Sequence, residues 1–114
     1  MSTPSFSLAQ QQCEHRTGAP LSDTGVQMML SQVHGWAVDA SVPGGVLHQT
    51  FTFANFHQTM AFVNAVAWIA HQQDHHPELI AGYNRCTLRW NTHSVGGLSA
   101  NDFICAARVD TLNR

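Results

Sequence analysis

The chain has no lysine; its 5 cationic side chains are all arginine, and only 11% of its 114 residues are charged. Binding to nucleic-acid phosphates needs a clustered basic face. Arg16, Arg85, Arg89, Arg108 and Arg114 are scattered, so a nucleic-acid partner is disfavoured. No apolar run approaches the length of a membrane span, and the first residues have no basic stretch followed by an apolar one. The chain therefore reads as soluble, unexported and cytoplasmic, with no membrane partner. Cysteine is sparse: Cys13, Cys86 and Cys105 form no CxxC pair and are odd in number, which fits reduced thiols in the cytosol. Neither a P-loop nor GxGxxG is present, so nucleotide phosphate binding has no support. GxSxG is also missing and no Cys adjoins a His, so covalent catalysis has none either.

What is plentiful is apolar surface, 44% of residues against a net charge of −2. A chain of this length forms one domain and can bury roughly two-thirds of its unfolded surface. The apolar share exceeds what a small monomer needs, so a subunit interface is expected. There is no internal repeat. Residues 1–20 are rich in Gln, Ser and Thr and carry Pro4, Gly18 and Pro20. They read as a poorly ordered, loosely attached lead-in without function, leaving 21–114 as the domain.

Ser22 caps a predicted helix from Asp23 to about Val33, where Val26, Met29, Leu30 and Val33 follow the helical spacing and Gly35 closes it. Trp36 to Ala40 and Val46 to Phe53 read as a hairpin across Pro43-Gly44-Gly45. Asn55 caps the longest helix, to about Gln72. Phe56, Met60, Val63, Ala67 and Ala70 make one apolar stripe on it, and Phe62, Val66 and Ile69 a second. Two stripes call for two neighbours, a sheet and either another helix or another subunit. Leu79 to Tyr83 and Cys86 to Thr92 form a second hairpin. Ser99 and Asp102 resemble a capping box opening a last helix through about Leu112. The order α-β-β-α-β-β-α predicts an α+β fold: one antiparallel four-stranded sheet with three helices on one face and the other face open.

Eight histidines stand in the chain. His15, His34, His48 and His57 have no partner signal and read as surface or strand-face residues. Asp74-His75-His76-Pro77-Glu78 falls where the long helical pattern stops, a stop assigned to the proline. His71 and His75, spaced i, i+4, could hold Zn²⁺ with His76 or His93 as a third ligand. Against that, position 72 is Gln, so there is no HExxH, and the rings of consecutive His75 and His76 diverge on any regular element. A favourable contact with the helix dipole is a second reading. Acid–base chemistry by His75, His76 and His93, with Asp74 and Asp102 orienting the rings, is a third.

The spacing of these residues is composite: His75-His76-Pro77, five residues, Tyr83, nine residues, His93, eight residues, Asp102. Gly-Gly-Leu-Ser precedes Asp102 and Ala-Ala-Arg-Val-Asp follows it. Gly35-Trp36, Phe51-Thr-Phe-Ala-Asn-Phe and Ala61-Phe62-Val63 stand upstream. Over about residues 21 to 110 the sequence resembles the pterin-4a-carbinolamine dehydratases (4a-hydroxytetrahydrobiopterin dehydratases). The resemblance implies a hydro-lyase that removes water from the 4a-hydroxytetrahydropterin left by aromatic amino-acid hydroxylases, its pathway partners, to give quinonoid dihydropterin in tetrahydrobiopterin recycling. It implies that His75 and His93 exchange protons with the 4a-hydroxyl and N5, and that His76 mainly holds the pterin. Asp74, Asn91, Thr92 and Ser94 would contact the substrate, and Tyr83 and Asp102 would support the site. No metal or organic cofactor is implied, since the ring nitrogen can expel hydroxide once protons are positioned. Homodimers or homotetramers are implied too, as is an alternative role as a protein-binding, assembly or transcription-coactivator module. Three positions depart from the family pattern: His71 where many members have an acidic residue, Leu79 where mammalian forms have Trp, and the bulky Trp90.

Overall fold

A computed structural model describes residues 7–112. In chain order the elements are α1 (Asp23–Leu30), β1 (Ala37–Asp39), β2 (Val46–Thr52), α2 (Phe56–Gln73), β3 (Glu78–Ala81), β4 (Arg85–Trp90) and α3 (Ala100–Asp110). The strands make one antiparallel sheet in the order β1-β2-β4-β3. This is the expected α-β-β-α-β-β-α fold. Several bounds moved: α1 stops at Leu30 rather than Val33, and Trp36 lies outside β1. Trp36 is instead fixed by its indole N–H, which donates to Asp110 Oδ1 at 2.9 Å.

The period-two pattern of β2 and β4 turns Leu47, Phe51, Cys86, Leu88 and Trp90 inward, and all are buried. Register pairs Leu47 with Trp90 and Phe51 with Cys86, so the two central strands present an apolar face interrupted by Gln49, which lies opposite Leu88 and donates to the His34 carbonyl at 2.9 Å. The opposite face carries His48, Thr50, Thr87 and Arg89 and is polar, with Thr50 and Thr87 hydroxyls 2.8 Å apart and Arg89 paired with Glu78 at 3.0 Å. On α2, Phe62, Val66, Ile69 and Ala70 are buried. Phe62 sits between Phe51 and Phe53, with ring centroids 4.7 and 5.1 Å away. The other expected stripe is divided: Ala70 is buried and Met60 and Val63 are half-buried, while Phe56 is 52% exposed; Trp68, elsewhere on the helix surface, is 60% exposed.

The helix α3 is enclosed. Asn101 to Ala107 and Val109 are all buried. Each fully buried Phe103 or Ile104 side chain contributes about 1.5–3 kcal/mol of transfer free energy, which fixes the helix and everything it carries. A helix buried on nearly every side needs cover on its outer side as well, and residues 7–16 supply it. Leu8, at the start of a short 3-10 turn (Leu8–Gln10), is 4% exposed, and the Arg108 guanidinium donates to the Gln11 carbonyl at 2.6 Å. The loosely attached lead-in expected from the sequence is therefore corrected for 7–16, which pack on α3; residues 1–6 of that lead-in lie outside the described residues. The β1–β2 turn also touches the loop before α3: a Cβ on Gly44, whose φ is +83°, would collide with the Gly96 carbonyl. Among the described residues no helix is long and apolar enough to cross a membrane.

Candidate active site

The long helix ends in a motif that aims the histidines. Asp74 takes the left-handed conformation, φ 48° and ψ 44°, the only described non-glycine residue with positive φ. The Asp74 amide donates to the His71 carbonyl at 3.3 Å and the His75 amide to the Ala70 carbonyl at 3.2 Å. These are the two bonds of a Schellman cap. The stop is thus Asp74, three residues before Pro77, and His75 and His76 leave the helix in an extended segment. That separates His71 from His75. The His71 ring is exposed and stacked on Trp68 at 5.5 Å, whereas His75 turns inward and stacks on Trp90 at 5.7 Å with 16° between planes. Among the described residues no three His, Cys, Asp or Glu side chains converge as metal ligands.

Two strand ends bring the rest together. Glu78 at the start of β3 pairs with Arg89 at the end of β4. The segment entering β3, 74–77, and the segment leaving β4, 91–94, therefore emerge at the same end of the sheet. Thr92 and Gly97 bridge each other, with the Thr92 amide donating to the Gly97 carbonyl at 2.8 Å. This closes a small loop whose 3-10 turn (His93–Val95) carries His93 and Ser94.

Asp102 lies beneath this end of the sheet, fully buried. Its Oδ1 is 2.6 Å from His75 Nε2, and His75 keeps only 12% side-chain exposure. Its Oδ2 accepts from the Ser99 amide at 2.9 Å and from the Thr92 hydroxyl at 2.8 Å. Thr92 has one hydroxyl hydrogen and gives it to Asp102, so Ser99, 2.7 Å away, donates to Thr92 Oγ1. The expected capping box is present, and its carboxylate also holds a histidine. A carboxylate only accepts hydrogen bonds, so His75 Nε2 carries the shared hydrogen and Nδ1 is the ring nitrogen left for a ligand.

A cleft of about 460 Å³ opens at this end. Asp74, His75, His76, Asn91, Thr92, His93 and Ser94 all line it, so the structure brings together seven of the nine site residues expected from the sequence. Asp102 is buried behind His75. Tyr83 is not there: its ring is 66% exposed at the β3–β4 turn, and its contribution is a carbonyl that accepts from Thr59 Oγ1 at 3.0 Å.

The remaining wall comes from residues to which the sequence assigned no function: Cys13, Glu14, His15, Arg16, Gln73 and Asn101. Buried Asn101 accepts from the Glu14 amide at 3.2 Å and from Arg16 Nε at 3.0 Å, and donates to the Glu14 carbonyl at 2.7 Å. Gln73 accepts from the Cys13 amide at 2.8 Å. This segment, 13–16, is a strap along the cleft, held by the residues immediately before Asp102 and Asp74. Cys13 Sγ also lies 3.6 Å from Cys105 Sγ and 3.6 Å from the Asn101 carbonyl. The hydrogen bond with Cys105 holds the Cys13 thiol below its ordinary pKa of 9.0; the same bond, then burial, pushes Cys105 up.

Comparison with known proteins gives a consistent result. The family model described as "Pterin 4 alpha carbinolamine dehydratase" matches residues 19–112. A Nitrosospira multiformis protein assigned as a pterin-4-alpha-carbinolamine dehydratase is 48% identical over 114 residues, covering 98% of this chain and 97% of its own. A similarly assigned Stenotrophomonas maltophilia protein is 50% identical over 107 residues, covering 92% and 90%. Among solved structures, the transcriptional coactivator/pterin dehydratase from Brucella melitensis superposes with TM-score 0.73 at 27% identity, covering 79% of this chain and 94% of that one. A pterin dehydratase-like RuBisCO assembly factor of the alpha-carboxysome, at 24% identity and TM-score 0.58 over 68% and 87% of the chains, shares the fold.

Proposed function

From the fact that this chain belongs to the pterin-4a-carbinolamine dehydratase family, we propose that it removes water from a 4a-hydroxytetrahydropterin to give quinonoid dihydropterin, completing the cycle of a pterin-dependent aromatic amino-acid hydroxylase. The observation that carries the reading is His75, fixed by buried Asp102 and sharing one cleft with His93. In the elimination the C4a–O bond breaks, and the hydroxyl leaves as water with a proton from one imidazole. The other imidazole takes the N5 proton, and the electrons of that N–H bond form the C4a=N5 double bond. Imidazoles held in place suit both transfers, and positioned proton transfer contributes about 10²–10⁴-fold.

In this reading His75 and His93 are the acid–base pair and His76 holds the ring. Asp74, Asn91 and Ser94 offer polar contacts along the cleft. The Thr92 hydroxyl is committed to Asp102 and Ser99, so it acts by supporting Asp102. The test is a direct assay of the purified protein with a 4a-hydroxytetrahydropterin. His75→Ala and His93→Ala should each lower the dehydration rate by at least about tenfold; wild-type rates in both would overturn the proposal.

Phe56 and Trp68 on α2 are large apolar side chains left exposed, which supports self-association into a dimer or tetramer, since covering them with a second copy removes apolar surface from water. Light scattering should then show an oligomer that Trp68→Glu dissociates. A monomeric wild type would favour the runner-up reading, a fold used to bind a different protein.

A further inference from the structure

We propose that Cys13 and Cys105 are a reversible redox site, closed to a disulfide by a hydroperoxide and reopened by a dithiol. The two sulfurs lie 3.6 Å apart although 92 residues separate them in the chain. The pair is asymmetric in the way such chemistry uses. Cys13 is half-buried and lines the cleft, within reach of a small oxidant, while Cys105 is fully buried on α3 behind it. The two sulfurs stand within hydrogen-bond distance, and a bond in which Cys105 is the donor favours the Cys13 thiolate, the form that attacks peroxides.

The steps balance. The Cys13 thiolate attacks the O–O bond of the hydroperoxide; that bond breaks, an alcohol or water departs, and Cys13 becomes a sulfenic acid. The Cys105 sulfur then attacks the Cys13 sulfur. The S–O bond breaks, and hydroxide leaves as water with the proton of Cys105. Two thiols and one hydroperoxide give one disulfide, one water and one alcohol (a second water where the oxidant is hydrogen peroxide).

A disulfide sulfur pair stands at about 2.05 Å, so the sulfurs must approach by about 1.5 Å. α3 is locked in the core, and the strap is the partner able to move, since it is held to the body through hydrogen bonds to Gln73 and Asn101. Cys105 is three residues beyond Asp102 on the same helix, so the bond would tie the Glu14–Arg16 wall to the helix that orients His75.

The sequence makes the test clean. With no lysine, trypsin cuts only after arginine, and Cys13, Cys86 and Cys105 fall in separate peptides: 1–16, 86–89 and 90–108. Folded full-length protein is exposed to hydrogen peroxide at one equivalent, alkylated under denaturing conditions, digested and analysed by mass spectrometry. The expected product joins 1–16 to 90–108, disappears on treatment with dithiothreitol, and leaves Cys86 alkylated. In Cys105→Ala, a sulfenic-acid trap should label Cys13. In Cys13→Ser, Cys105 should stay reduced under the same exposure, with circular dichroism reporting that each variant is folded. Peptides joined through Cys86, a bond between two chains, or irreversible oxidation of Cys13 with Cys105 still free would each overturn the proposal.

Discussion

Asp102 holds His75 with one carboxylate oxygen, at 2.6 Å, and caps its own helix with the other, at 2.9 Å from the Ser99 amide. One side chain therefore starts α3 and sets the tautomer of the candidate catalytic ring. The two duties are separable by substitution. Asn at 102 can still accept from Ser99 and Thr92 with its oxygen. Its NH₂ would then face His75 Nε2 and donate to it, moving the ring hydrogen to Nδ1. Asp102→Asn should keep the fold and lower the dehydration rate by about tenfold or more, read by steady-state kinetics beside far-UV circular dichroism. Asp102→Ala removes both duties and leaves His75, Thr92 and Ser99 without their buried acceptor. It should lower unfolding free energy by roughly 3–5 kcal/mol, read by urea denaturation.

Asp74 pays conformational strain at the cleft, since a non-glycine residue in the left-handed region is disfavoured by about 1 kcal/mol, somewhat less for Asp. Asp74→Gly should raise stability by up to about 1 kcal/mol while weakening substrate binding, seen as a higher KM. A rise in stability without change in KM would confine Asp74 to the backbone turn.

Asn101 is the anchor of the strap. Its amide satisfies the Glu14 backbone on both sides and Arg16 Nε. Asn101→Ala should cost about 1–3 kcal/mol through unmet hydrogen bonds. Amide exchange should quicken at 13–16 more than within β2 and β4, which distinguishes release of the strap from general loosening.

Burial pushes the Cys86 thiol above its ordinary 9.0. The unfolded chain then loses this proton first as pH rises, so the folded state binds more protons above about pH 9. The stabilisation is complete below the unfolded pKa and is lost as pH climbs toward the folded one. Wild-type stability should fall between pH 8 and about 10, and Cys86→Ala, less stable at pH 7 for its cavity, should fall less steeply. Urea midpoints across that range are the measurement.

Periodicity and capping residues made β2, α2, α3 and the antiparallel sheet legible, because each signal is local to its element. The end of α2 was legible as a place and mistaken in cause: Pro77 looks like the stop, yet the left-handed Asp74 ends the helix and Pro77 follows in extended chain. The capping box at Ser99 and Asp102 could be read as a cap, but the second oxygen's bond to His75 spans 27 residues, and no local pattern reports it. The Cys13–Arg16 wall was invisible for the same reason. Its residues have no apolar period, and its anchors Gln73 and Asn101 lie 60 and 87 residues away. Tyr83 shows the converse, a motif position whose ring points to solvent.

The contact between Gly44 and the Gly96 carbonyl makes surface exposure a poor guide to mutational tolerance in this chain. Gly44 sits on an exposed turn, where a survey by accessibility would rank it among the freest positions. Yet any side chain there must displace the backbone of the loop that ends β4, and His93 rides on that loop. A change at this exposed turn would thus be felt as a shift in one of the candidate catalytic rings, a sensitivity written into two backbones that touch.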